Sequence, residues 1–122
     1  MGEGMIITSL YTDQSVYRTD EKITAHLRLY NFTDKSIRLN FGSGQRYDLY
    51  LTQGDEELWR WSDDKFCTMA LIYKEIEAGE SLEYDLELEP GLSPGEYILA
   101  GKLATLPEAM ELNEVMIEIV VN

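Results

Sequence analysis

A single cysteine, Cys67, leaves this chain no intramolecular disulfide, and a single histidine, His26, leaves it too few soft ligands for a zinc site without carboxylate help. His26 falls mid-strand on the face that alternates away from the core, far in sequence from Cys67. The two read as an exposed histidine and a buried, inert thiol, not as a nucleophile and its base. Basic residues are scarce as well. Ten stand against twenty-three acidic ones, and the net charge of −13 argues against nucleic acid or an anionic membrane as partner. No apolar run is long enough to span a bilayer, and no basic segment followed by an apolar one opens the chain. Neither a membrane span nor a signal peptide is expected, and the expected location is cytoplasmic. Phosphate-cradling glycine motifs are missing, Gly42-Ser-Gly44 being too short. The acidic tips Asp55-Glu56-Glu57 and Asp63-Asp64 lack the alternating ligands and central glycine of a calcium loop. No cofactor or metal is called for, and no catalytic activity is expected.

Long patterns of period 3.6 are absent too, and so are repeats and linkers. What fills the chain is alternation of period two. Met5 to Tyr11 reads as an edge strand, and Thr12 to Lys22 as a polar connection with Val16 and Tyr17 touching the core. Ile23, Ala25, Leu27 and Leu29 alternate with polar neighbours, as do Ile37, Leu39 and Phe41, then Leu82, Tyr84, Leu86 and Leu88. Tyr97 to Leu103 and Val115 to Val121 make the last strands, and Phe66 to Ile76 reads as extended. Hydrophobic content of 44% suits one compact core, and short strands at hairpin-like spacing predict a single antiparallel β-sandwich over residues 1–122. Leu92-Ser-Pro-Gly-Glu-Tyr97 has the Leu-x-Pro-Gly-x-Tyr form of a tyrosine corner, in which the hydroxyl bonds back to nearby backbone. That feature selects an immunoglobulin-like sandwich.

The chain is organised around Phe41 to Ser62. Two alternating runs flank the polar tip Gln53-Gly-Asp-Glu-Glu57, the pattern of a β-hairpin. A loop over Gly54 to Glu56 sets Leu51 opposite Trp59 and Leu49 opposite Trp61, with Arg60 and Asp48 on the other face as an exposed ion pair. A two-residue loop at Gly54-Asp55 slips the register by one and turns both indoles outward. Burial of an aromatic ring is worth several kcal/mol, an exposed ion pair ~0.2–1 kcal/mol. The first register is therefore expected, with both indoles facing the core.

Phe41-Gly-Ser-Gly-Gln-Arg-Tyr-Asp-Leu, followed by Leu58-Trp-Arg-Trp-Ser62 and Phe66, resembles the intracellular proteinase inhibitor family of Bacillus, the BsuPI-like domain. The turn Glu77-Ala-Gly-Glu80 and Pro94-Gly-Glu-Tyr97 continue the likeness, which runs from about Ile23 to Leu103. The resemblance implies a cytoplasmic inhibitor whose partner is an intracellular, subtilisin-like serine protease. It supplies no reactive bond, because the matching residues are aromatics, turn glycines and a charge pair. A non-inhibitory protein-interaction module and a carbohydrate-binding module are the alternatives.

An inhibitory segment must be exposed and stiff, and must offer an apolar side chain to a specificity pocket. Thr105-Leu-Pro-Glu-Ala-Met-Glu111 meets these conditions, with Pro107 restricting it and Leu106 or Met110 as the anchor. The plain alternative is a connection whose Leu106 and Met110 pack on the core. The competing segment is Ser62 to Met69, anchored by Phe66.

Overall fold

A computed structural model of the chain describes residues 4–43, 45–64 and 69–121. In chain order the strands are β1 (Ile6–Thr12), β2 (Val16–Arg18), β3 (Ile23–Asn31), β4 (Ile37–Ser43), β5 (Tyr47–Gln53) and β6 (Glu56–Arg60), then β7 (Met69–Ile76), β8 (Ser81–Leu88), β9 (Gly95–Leu103), β10 (Thr105–Leu106), β11 (Met110–Glu111) and β12 (Val115–Val120). A 3-10 turn, Trp61–Asp64, follows β6.

One sheet has the order β1-β3-β8, a second β2-β12-β9-β5-β6 with β11 added to β9, and a third β10-β4-β7. All pairs are antiparallel except β2 with β12. The first two sheets bring together the strand sets of an immunoglobulin-like β-sandwich, and the third adds Leu39, Phe41 and Ile76 to the same core. β3 shows the cause most plainly. Its residues alternate buried and half-buried along the whole strand, so Ile23, Ala25, Leu27 and Leu29 face inward while the intervening side chains face out. Gly101 on β9 is required by close approach: a Cβ there would meet Leu49 Cδ2 at 2.5 Å and the Asp48 carbonyl at 3.1 Å.

The tyrosine corner is present. The Tyr97 hydroxyl donates to the Ser93 carbonyl at 2.6 Å, and the ring is buried. The stretch expected as a polar connection, Thr12 to Lys22, contains β2, and Tyr17 is 1% exposed while Val16 points to solvent. Burying one aromatic ring contributes up to ~4–6 kcal/mol, similar to the ~3–6 kcal/mol needed to order three residues. Ladder bonds to β12 tip that balance towards a strand.

Asn31, Asp48 and Thr105 are the buried polar side chains among the described residues, and each holds a turn. Asn31 Nδ2 donates to the carbonyls of Lys35 (2.8 Å) and Ile76 (3.0 Å), and its Oδ1 accepts from the Thr33 amide and hydroxyl. The Asn31-Phe-Thr33 sequon is therefore structural, its amide nitrogen committed inside the fold. Asp48 lies on the hairpin.

Candidate functional site

Gly54 and Asp55 alone form the hairpin tip, with Gly54 at φ 61°. At the tip Gln53 faces Glu56 and Thr52 faces Glu57, yet nearer the base Leu51 faces Trp59 and Tyr50 faces Arg60. A bulge at Leu58 reconciles the two registers that the sequence presents as exclusive. Trp59 and Trp61 both pack against the core, half-buried. Trp61 does not pair with Leu49, because β6 ends at Arg60 and Trp61 opens the 3-10 turn. Its ring lies 4.9 Å from that of Tyr47 instead.

The expected exposed pair is a buried hub. Asp48 has a side chain 5% exposed; Oδ2 accepts from Arg60 Nη1 at 3.0 Å and from the Ser62 hydroxyl at 2.7 Å, and Oδ1 from the Ser62 amide at 3.1 Å. Arg60 also grips Glu57, which holds the guanidinium above its ordinary pKa, while Arg60 draws the Glu57 carboxyl below its own. A buried carboxylate needs its lone pairs satisfied, and the observed register supplies Asp48 with the Arg60 guanidinium and the Ser62 amide and hydroxyl. This constellation orders the turn after β6.

His26 is not the free surface histidine expected. Its Nδ1 lies 2.6 Å from Asp85 Oδ1 and its Nε2 2.6 Å from Asp13 Oδ1, with the ring stacked on Tyr11 at 4.8 Å. The Asp85 hydrogen bond first, and then Asp13, raise the imidazole above 6.5. Cys67 and Phe66 lie outside the described residues.

The loop from Thr105 to Glu111 is pinned at both ends to different sheets. Thr105 and Leu106 pair with Phe41 and Asn40 on β4, whereas Met110 and Glu111 pair with Leu103 and Lys102 on β9. The Thr105 hydroxyl donates to the Glu108 carbonyl at 2.7 Å, closing the turn, and the Ala104 amide donates to the Arg46 carbonyl at 2.8 Å. Leu106 is 46% exposed and Pro107 is exposed, while Met110 is half-buried against the core. The plain alternative thus describes Met110 and not Leu106. β10 runs antiparallel to β4, so the chain at Pro107 heads towards the end of β4 that follows Phe32 to Lys35.

Leu106 does not stand alone. Asn40 sits between it and Tyr73, and Gly42 leaves it room: a Cβ at Gly42 would lie 3.1 Å from Leu106 Cδ1. Leu71, 80% exposed, joins Asn40, Leu106 and Pro107 around a shallow apolar depression. Tyr73 beside it is exposed under the Arg38 guanidinium, 4.0 Å from the ring centre. Sequence reasoning missed Leu71 and Tyr73. Their i, i+2 spacing was visible, but an apolar alternation reads as core until the strand is known to lie at the edge of a sheet, as β7 does.

Residues 10–108 match the model of the family described as BsuPI, intracellular proteinase inhibitor. The chain belongs to this family. The matched span takes in Asp48, the tryptophans, Leu71 and the exposed part of the loop at Leu106 and Pro107, and stops before Met110. No curated protein matches the chain. Among solved structures it is similar to Spo0M, a sporulation control protein from Bacillus subtilis, with 13% identity and a TM-score of 0.58 over 98% of this chain and 51% of that one. The C-terminal domain of wzt has 8% identity and a TM-score of 0.57 over 100% and 77%. A β-glucosidase from Erythrobacter marinus has 14% identity and a TM-score of 0.53 over 98% and 16%, so the chain spans about a sixth of that enzyme's length. At such identities the likeness is one of fold.

Proposed function

We propose that this member of the inhibitor family blocks a subtilisin-like serine protease, without catalysis of its own, by presenting Leu106 and Pro107 to the enzyme's cleft. The observation that carries the reading is the pinning of the loop. With β10 fixed to one sheet and β11 to another, the intervening residues have little backbone freedom left to lose on binding, which reduces the ordering cost at ~1–2 kcal/mol per residue. Leu106 supplies the apolar anchor, and the depression it shares with Leu71 widens the contact. The partner is a protease inside the cell, in keeping with the family's description, and the location proposed is the cytoplasm. Among the described residues no helix is long and apolar enough to cross a membrane.

The half-burial of Trp59 and Trp61 removes two indoles from any flat exposed row, which weighs against carbohydrate binding. The test is inhibition of subtilisin, with trypsin and chymotrypsin as comparisons. Leu106→Asp weakens inhibition of subtilisin at least tenfold, about 1.4 kcal/mol, and leaves the thermal midpoint near that of the parent. If Leu106→Asp inhibits like the parent while Phe66→Asp stays folded and loses inhibition, the contact belongs to the segment Ser62 to Met69. A folded parent that inhibits none of the enzymes returns the domain to the non-inhibitory interaction module.

A further inference from the structure

We propose that the outer face of β9 and β12 around Met116 is a second docking surface, taking a polypeptide segment of a partner protein in which lysine or arginine flanks an apolar side chain. Met116 is 67% exposed and stands directly across from the half-buried Ile98, with Thr52 next in the same row. Two residues along the strands, on the same face, Glu96 faces Glu118 across the ladder, and Glu118 in turn faces Val16, itself 44% exposed. Two shallow grooves flank Met116, one lined by Ser15, Val16 and Glu118, the other by Thr52, Gln53 and Ile98, and Glu96 borders both.

Like charges directly opposite on a sheet repel, and a partner that brings a cation relieves the repulsion. Here neither glutamate pairs with a cation among the described residues, though the same chain does so for Glu57, Glu83, Glu87 and Glu89. Met116 and Ile98 beside two uncompensated carboxylates complement a segment that brings its own positive charge and one greasy side chain. A second copy would set the same carboxylates against each other, and an anionic membrane is repelled. A bare divalent cation finds only two carboxylates where calcium takes about six to eight oxygens, and it leaves Met116 unused. Ile98 lies five positions along β9 from Leu103, the residue that faces the base of the Leu106 loop at Met110, which is about 17 Å of strand. The two surfaces can therefore be occupied together.

The test is an amide chemical-shift titration of the whole chain with a short synthetic peptide in which lysine alternates with leucine, and with its glutamate–leucine counterpart. Shifts concentrate at Val16, Glu96, Ile98, Met116 and Glu118 for the lysine peptide and are absent for the glutamate one. Met116→Lys and the pair Glu96→Gln/Glu118→Gln weaken binding at least tenfold. The control pair Asp20→Asn/Asp34→Asn, which loses the same charge elsewhere, binds like the parent. Inhibition of subtilisin is unchanged in all these variants and in the presence of the peptide. Absence of binding, shifts spread over the acidic surface, equal losses in both charge pairs, or the same local shifts from magnesium ions alone would each overturn the proposal. Should the parent inhibit no protease and still bind the lysine peptide at this face, the docking surface stands and the inhibitor reading falls.

Discussion

His26 ties three segments together through one ring, since Asp13 follows β1, His26 lies on β3 and Asp85 on β8. Its folded pKa is raised above 6.5, by the Asp85 hydrogen bond most and Asp13 next, against the opposing effect of burial. A raised pKa means that the folded state holds the proton more tightly than the unfolded chain. The contribution is complete below about 6.5 and is lost as pH rises through the folded value. Denaturant midpoints of the parent therefore fall, relative to those of His26→Gln, as pH is raised from 6 through that range. An NMR titration locates the step directly, and Asp85→Asn lowers the imidazole pKa further than Asp13→Asn. An imidazole titrating at or below 6.5 would refute the clamp. The histidine's outward face was legible from alternation alone. Its partners, 13 and 59 residues away, were not, because only folding sets those carboxylates beside it. Tyr97 shows the reverse case: its partner is four residues back, so local spacing alone specifies the corner.

At the scale of elements, strands that carry a full alternating run were legible, and short ones were not. β2, β10 and β11 hold three, two and two residues, too few for a period to register. They exist because a neighbouring strand offers them a ladder. The hairpin carried a different ambiguity. Gly54-Asp55 favours a two-residue turn and the indoles favour the other register, and one extra residue, Leu58, lets both be satisfied. β12 carries a prediction of its own. Since Glu118 faces Glu96 without a cation, Glu118→Gln relieves a repulsion and raises unfolding free energy by about 0.2–1 kcal/mol. Urea denaturation at low salt measures it, and an unchanged or lowered stability would mean that the two carboxylates diverge into solvent.

For the whole molecule, the net charge of −13 opposes compaction, while the ion pairs that offset it are mostly exposed and individually weak. Salt screens both, but the repulsion sums over many carboxylates and the pairs are few. Raising sodium chloride from about 20 to 200 mM shortens the screening length from roughly 20 to 7 Å, and the thermal midpoint rises. A midpoint that falls would assign the greater weight to the clamps at His26 and Arg60.

By itself the sequence determined the all-β class, the inward faces of the long strands, the tyrosine corner and the family, because each rests on spacing within one strand or one turn. It also singled out Leu106 and Pro107, through the polarity and stiffness of their own segment. Only the tertiary structure decided that Asp48 is buried, that Met110 belongs to the core while Leu106 does not, and that Leu71 and Met116 face solvent. Those outcomes depend on which strands lie side by side and which edge is left uncovered. Pairing between distant segments is a property of the sheet as a whole, and period-two alternation is the same whichever partner a strand finds.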